Sequence, residues 1–187
     1  MHRYLRDHFA KAPLSLLLLL CLTLGVARAA IAAPDGFDAV RCGSDIPQSL
    51  IGKVLSKDRV SLQEGRHKAI QLQVLGATEV SNRLFLVALR ICGAEFMLLE
   101  DKSDTVRDVL PFPLHSRATP QFVGTCTLQG KPMPGLVVAT LLNKDGKDDL
   151  AAKQAWTIDE AKNQFVKTAV DGLFCPRDGI ATVDGGP

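Results

Sequence analysis

The sequence predicts a mainly β fold: a single-domain antiparallel barrel or sandwich with one or two short helices, stapled by disulfides. Three observations carry this. Short segments of alternating or continuous apolar character recur along the chain, turn-forming Gly, Pro, Asn and Asp separate them, and four cysteines survive the expected processing.

Residues 1–32 read as a secretory signal. Arg3, Arg6 and Lys11 precede the apolar run Leu14 to Val26, the charged-then-apolar order of an export leader. Small residues in Ala27-Arg28-Ala29 and Ala30-Ile31-Ala32 place cleavage between Ala29 and Ala33. A membrane anchor is the competing reading, but Arg28 interrupts a run that falls short of the ~20 residues that span a bilayer. Leu20 stands before Cys21 where lipid attachment wants a small residue, so a lipoprotein is not expected.

Residues 33–187 are then one mature domain, large enough for its own core and with no membrane span. The leader holds Arg3, Arg6, Lys11 and Arg28 of the 22 basic side chains and Asp7 of the 20 acidic ones, so the domain itself is near neutral. Nucleic acid demands a clustered positive footprint, and no stretch interleaves several Lys or Arg with aromatics, which argues against that partner.

Cys42, Cys92, Cys126 and Cys175 are an even set in an exported chain, which points to two disulfides. No CxxC pair suggests a redox site or a zinc knuckle. Of three possible pairings, Cys42 with Cys92 and Cys126 with Cys175 is preferred because each ties a segment end to an interior strand, although sequence alone does not choose.

Along the chain, Pro34 to Cys42 is irregular. Ser44-Asp45-Ile46-Pro47 reads as a helix start, with a small polar cap, an acid in the first turn and a proline where its missing N–H does no harm; Gly52 ends it. Arg59 to Leu62 and Ile70 to Val74 alternate as strands with one wet face. Leu84 to Cys92 is apolar at nearly every position, a strand covered on both faces, and Gly93-Ala94 turns it into Glu95 to Leu99.

Residues 98–109 and 157–168 share a hairpin pattern, with turns closing on Asp104 and Asn163, residue types that tolerate a left-handed backbone. The second has a helical competitor, because Thr157 and Glu160 make a capping box and Ile158, Ala161, Phe165 and Ala169 share a helical face. Hairpin is set ahead of helix, with Trp156 beside it as a core or cover residue. Pro111, Pro113 and Pro120 bracket a loop that no regular element crosses. Strands resume at Gln121 to Leu128, turn at Gln129-Gly130-Lys131, and return through Leu136 to Leu142, and the tail from Cys175 offers at most one short strand.

Chemistry-bearing residues are few. Only His67 and His115 remain after processing, and no GxSxG, HExxH or Walker-type loop is present. His115 and Ser116 are neighbours whose side chains point to opposite faces of an extended backbone, so they make no ready dyad. The acidic pairs, Asp101 with Asp104 and Asp148 with Asp149, together with Asp108 beside Arg107, read as solvated turns, because hydrolytic carboxylates need a defined separation across a cleft.

Asn143-Lys144-Asp145-Gly146-Lys147-Asp148-Asp149-Leu150 resembles the calcium loops of dockerin and FG-GAP repeats. The resemblance implies Asn143, Asp145 and Asp149 as oxygen ligands and Gly146 as the turn. Leu141 stands where the first aspartate belongs and the pattern occurs once, so a polar connection between strands is expected rather than a metal site.

These features predict a periplasmic or secreted binding or accessory domain with no catalytic machinery and no cofactor, engaging a protein or an envelope glycan. The alternatives are an envelope hydrolase built on loop residues around His115 and a calcium-stabilised structural module.

Overall fold

A computed structural model describes residues 34–179; the expected leader and the end of the tail lie outside them. The described residues open on a 3-10 turn, Gly36–Ala39, in which the Asp35 carboxylate accepts the Phe37 N–H. Helix α1 (Ile46–Leu50) follows, with Pro47 in its first turn. The acid expected inside that turn is itself the cap, since Asp45 accepts the Gln48 N–H at 3.1 Å, while Ser44 donates backwards to the Arg41 carbonyl at 2.7 Å.

Of two expected strands one is a helix and the other is strand only at its end. Arg59 to Leu62 opens helix α2 (Val60–Arg66) instead. Its alternation has nothing to pack on, as Val60 and Leu62 stay 47% and 57% exposed. Contacts at helical spacing decide the matter: Gln63 buries its amide against the Ser56 carbonyl, and Arg66 pairs with Asp58 at 2.6 Å. Ile70 to Val74 is divided. Lys68–Ile70 forms a 3-10 turn, Gln71 takes a left-handed φ of 51°, and the strand begins only at Gln73.

From there four strands run as an antiparallel meander, β1 (Gln73–Ser81), β2 (Leu84–Ile91), β3 (Ala94–Asp101) and β4 (Val106–Phe112), in the order β1-β2-β3-β4. The β2–β3 turn uses Cys92 and Gly93, both at positive φ, and the β3–β4 turn closes on Asp104 at φ 57° as the sequence predicts. The proline loop is shorter than expected, because Pro111 pairs with Phe96 inside β4. β4 is an edge strand, where a missing N–H need not break a ladder.

The second sheet comprises β5 (Gln121–Gly124), β6 (Thr127–Leu128), β7 (Lys131–Pro132), β8 (Val137–Leu141), β9 (Asp149–Asp159), β10 (Gln164–Lys167) and β11 (Leu173–Pro176). Its order is β5-β8-β9-β11-β6-β7, with β10 also pairing β9. The strand expected over Gln121 to Leu128 breaks at Cys126, whose bridge to Cys175 brings β6 beside β11 rather than β8. Residues 157–168 are a hairpin, not a helix. Trp156 and Thr157 pair with β8 on one side and β10 on the other, and Asn163 closes the turn at φ 52°.

The architecture is a sandwich, not a closed barrel. Leu86, Ala88, Met97, Leu99 and Phe112 of the first sheet meet Val138, Trp156, Ile158 and Phe165 of the second. The other face of the first sheet is covered by Phe37, Val40, Leu50 and Leu55 of the N-terminal layer. The other face of the second sheet carries its own core around Phe122, Leu141, Leu150 and Leu173. Both disulfides pair as preferred: Cys42–Cys92 pins the N-terminal layer to the β2–β3 turn, and Cys126–Cys175 pins the approach to β6 onto β11.

Candidate functional site

Under α2 the N-terminal layer does not fully meet the sheet. A cavity of about 150 Å3 lies there, walled by Phe37, Leu55, Val74, Val87 and Leu89 and reached by the polar residues Ser56, Gln63 and Glu100. Strand alternation puts Glu100 in it, two and four positions beyond Leu98 and Phe96, which belong to the core on that same face. Glu100 makes no side-chain hydrogen bond or ion pair among the described residues, and burial, reinforced by Asp104 and Asp101, pushes its carboxyl from 4.5 up to about 7. An apolar cavity with one convergent, perturbed carboxyl has the composition of a small-ligand site.

Asp101, the next residue, behaves oppositely. Desolvation raises its carboxyl, yet hydrogen bonds from Ser103, Arg107 and Thr105 outweigh this and hold it at about 2. It accepts the Ser103 and Thr105 N–H groups at 2.9 and 3.1 Å, so its task is to build the β3–β4 turn. The other acidic positions are also engaged locally. Asp104 pairs with Lys57 at 2.8 Å, and Asp108 accepts the Phe165 N–H at 2.7 Å, tying β4 to β10 of the other sheet.

His115 has the acid that the hydrolase alternative requires. Its Nδ1 lies 2.6 Å from the Glu95 carboxylate, whose other oxygen accepts from Arg90 at 2.6 Å, and the Glu95 and His115 side chains are 2% and 8% exposed. The pair holds the imidazole in one orientation. Nε2 makes no hydrogen bond among the described residues. A nucleophile is not supplied by Ser116, whose hydroxyl pairs with Thr119 at 3.0 Å and accepts the Thr119 N–H. His67 is wholly structural in its contacts: it faces buried Asp35 at 3.1 Å and packs on Phe37.

The 143–149 loop joins β8 to β9, and of the three implied ligands Asn143 faces Arg177. Its guanidinium donates to Asn143 Oδ1 at 2.8 Å, to the Lys147 carbonyl at 2.6 Å and to the Lys144 carbonyl. A fixed positive charge thus occupies one of the oxygens the calcium resemblance would give to an ion. An open hollow beside it is lined by Asp148, Asp149 and Asp178 together with Arg177. Among the described residues no group of three or more His, Cys, Asp or Glu side chains is arranged to hold a metal.

Sequence reasoning flagged His115 and the 143–149 loop but not Glu95, Arg90 or Glu100. The only signal for Glu95 was a charge opening an apolar segment. Glu100 had the weaker signal of being the first acid after four apolar residues. No family model matches this chain, and neither a curated protein nor a solved structure does, so the site stands on its own geometry.

Proposed function

We propose that this chain is an exported, non-catalytic binding or accessory domain whose ligand places a small group in the cavity beneath α2. The observation that carries the reading is Glu100: its half-buried carboxyl lines a largely apolar cavity and has no side-chain partner among the described residues, so a ligand that supplies a donor there is favoured. Export to the periplasm or the extracellular space is supported by the leader pattern over 1–32 and by two disulfides within the domain. No helix of the described residues is long and apolar enough to cross a membrane.

A fragment screen followed by backbone NMR tests the ligand site. Saturable shifts clustered at Val74, Val87, Leu89 and Glu100 are expected; binders that shift only other surfaces would refute it. For export, the mass of the secreted or periplasmic product should place the new N-terminus between Ala29 and Ala33, and an uncleaved chain in the cytoplasm would refute that half.

A second reading, hydrolysis with His115 as the general base, is favoured by the Glu95 contact alone. It requires turnover of activated esters or glycosides that His115→Gln abolishes. Rates unaffected by that substitution would remove it.

A further inference from the structure

The cavity has an electrostatic preference as well as a shape. Three cations near it are already engaged: Lys57 with Asp104 at 2.8 Å, Arg66 with Asp58 at 2.6 Å and Asp35 at 3.6 Å, and Arg107 Nε with Asp101 at 2.8 Å. On α2, Glu64 accepts the Val74 N–H at 2.9 Å, and His67 faces Asp35 at 3.1 Å. Glu100 is the one charged residue on the cavity wall, and among the described residues its carboxylate has no donor. An anion entering there would meet Glu100, Asp101 and Asp104. A purely apolar guest would seal Glu100 further from water and leave it unsatisfied.

We propose that this cavity, taken as the ligand site on the reading above, binds an alkylammonium group: a primary amine on a short aliphatic chain, with Glu100 as its counter-ion. The ammonium supplies the missing donors in a charge-assisted contact, and Val74, Val87 and Leu89 surround the methylenes. The cavity of about 150 Å3 matches a four-carbon amine, since cavities of that volume hold molecules as large as benzene. The group belongs either to a free amine or to the lysine side chain of a partner, and both present the same chemistry.

The pH dependence follows from which partner titrates. An alkylammonium stays protonated to about pH 10, whereas Glu100 ionises around 7, so the charged pair forms only on the alkaline side. Between pH 5.5 and 8 the ionised fraction of Glu100 rises about 30-fold, and amine affinity rises with it.

The test titrates the exported, disulfide-bonded protein with n-butylammonium, 1-butanol and butyrate, reading NMR shifts at the cavity and the carboxyl 13C titration of Glu100. Butylammonium is expected to saturate the cavity shifts, to bind at least about ten-fold tighter than butanol at pH 8, and to lower the Glu100 midpoint. Butyrate is expected not to bind. Glu100→Gln should lose that advantage and its pH dependence. Val87→Met, which narrows the cavity and keeps the charge, should weaken binding without changing the direction of the pH effect. Nα-acetyl-lysine amide binding tighter than butylammonium identifies a partner's lysine as the source; the reverse order identifies a free amine. Equal binding of butanol and butylammonium to wild type and Glu100→Gln overturns the ammonium assignment while keeping a ligand cavity. No cavity shift with any compound overturns both.

Discussion

Glu100 offers a measurement that needs no ligand. A carboxyl raised from 4.5 to about 7 in the folded protein favours folding in its protonated form. The contribution is complete below the unfolded value and is lost as pH rises through the folded one, so stability attributable to Glu100 falls across pH 4.5 to 7. The displacement of about 2.5 units, at about 1.36 kcal/mol per unit, amounts to about 3 kcal/mol between the two limits. That is an upper figure, because water entering the cavity screens the charge.

Glu100→Gln keeps the shape and removes the titration. Urea unfolding of wild type and variant under oxidising conditions, at several pH values from 4.5 to 8, isolates the effect: titrations common to both proteins cancel in the difference. The two should be nearly equal in stability at pH 4.5 and diverge by up to about 3 kcal/mol at pH 8, with Gln the more stable. At a urea m-value of about 2 kcal/mol/M this separates the midpoints by about 1.5 M. Asp101 does not confuse the window. Its lowered carboxyl contributes stability present above the ordinary carboxylate range and lost only as pH falls through about 2. Parallel curves for wild type and variant from pH 4.5 to 8 would show that Glu100 is solvated, and the electrostatic case for the cavity would go with it.

Other consequences are independent of Glu100. The bridges span sequence separations of 50 and 49 residues, for which chain-entropy arguments give about 4 kcal/mol each, so Cys126→Ala with Cys175→Ala should lower unfolding free energy by roughly that amount. Non-reducing peptide mapping that found another pairing would contradict the fold. Breaking the buried network with Glu95→Ala should cost about 3–5 kcal/mol because Arg90 and His115 lose their shared carboxylate; a loss below about 1 kcal/mol, measured by urea unfolding, would mean the three groups are hydrated. Arg177→Ala should destabilise by about 1–3 kcal/mol through the three acceptors it abandons, while calcium and chelator leave the wild-type Tm unchanged; a calcium-dependent rise in Tm would reinstate the metal reading of the 143–149 loop.

What the sequence made legible was local. Asp104 and Asn163 identify their hairpins because few other residues take a left-handed backbone so readily, and the structure uses each at the turn it was read for. LFLVALRI reads as a doubly covered strand because no polar stripe interrupts it until Arg90, and β2 lies between β1 and β3 with layers on both faces. The α2 segment departs from the strand its alternation predicts because its apolar residues are not what hold it. Gln63 is its buried residue, and a periodicity test that counts only apolar side chains registers Val60 and Leu62 instead. The break at Cys126 had no local signal either, since it follows from a bridge to a residue 49 positions away.

The site was harder still to read, and β3 shows why. Glu95 and Glu100 lie on one strand an odd number of residues apart, so alternation sends them to opposite faces. Glu95 faces the side of the second sheet, between Arg90 on β2 and Phe112 on β4, and its position brings two donors to one carboxylate. Glu100 faces the N-terminal layer, where Lys57 is held by Asp104 and Arg66 by Asp58. Nothing within the four residues between them distinguishes a glutamate that is satisfied from one that is not. The difference is set by which donors the fold brings to each: Arg90 and His115 reach Glu95, whereas near Glu100 Lys57 and Arg66 are committed to Asp104 and Asp58. Reassigning one of them therefore tests the same logic from the other side: Asp104→Asn frees Lys57 and removes one of the two charges that raise Glu100, and the Glu100 midpoint should fall from about 7 toward the ordinary carboxylate range. A midpoint unmoved by Asp104→Asn would mean that burial alone perturbs Glu100, and the cavity would lose its charge preference while keeping its apolar walls.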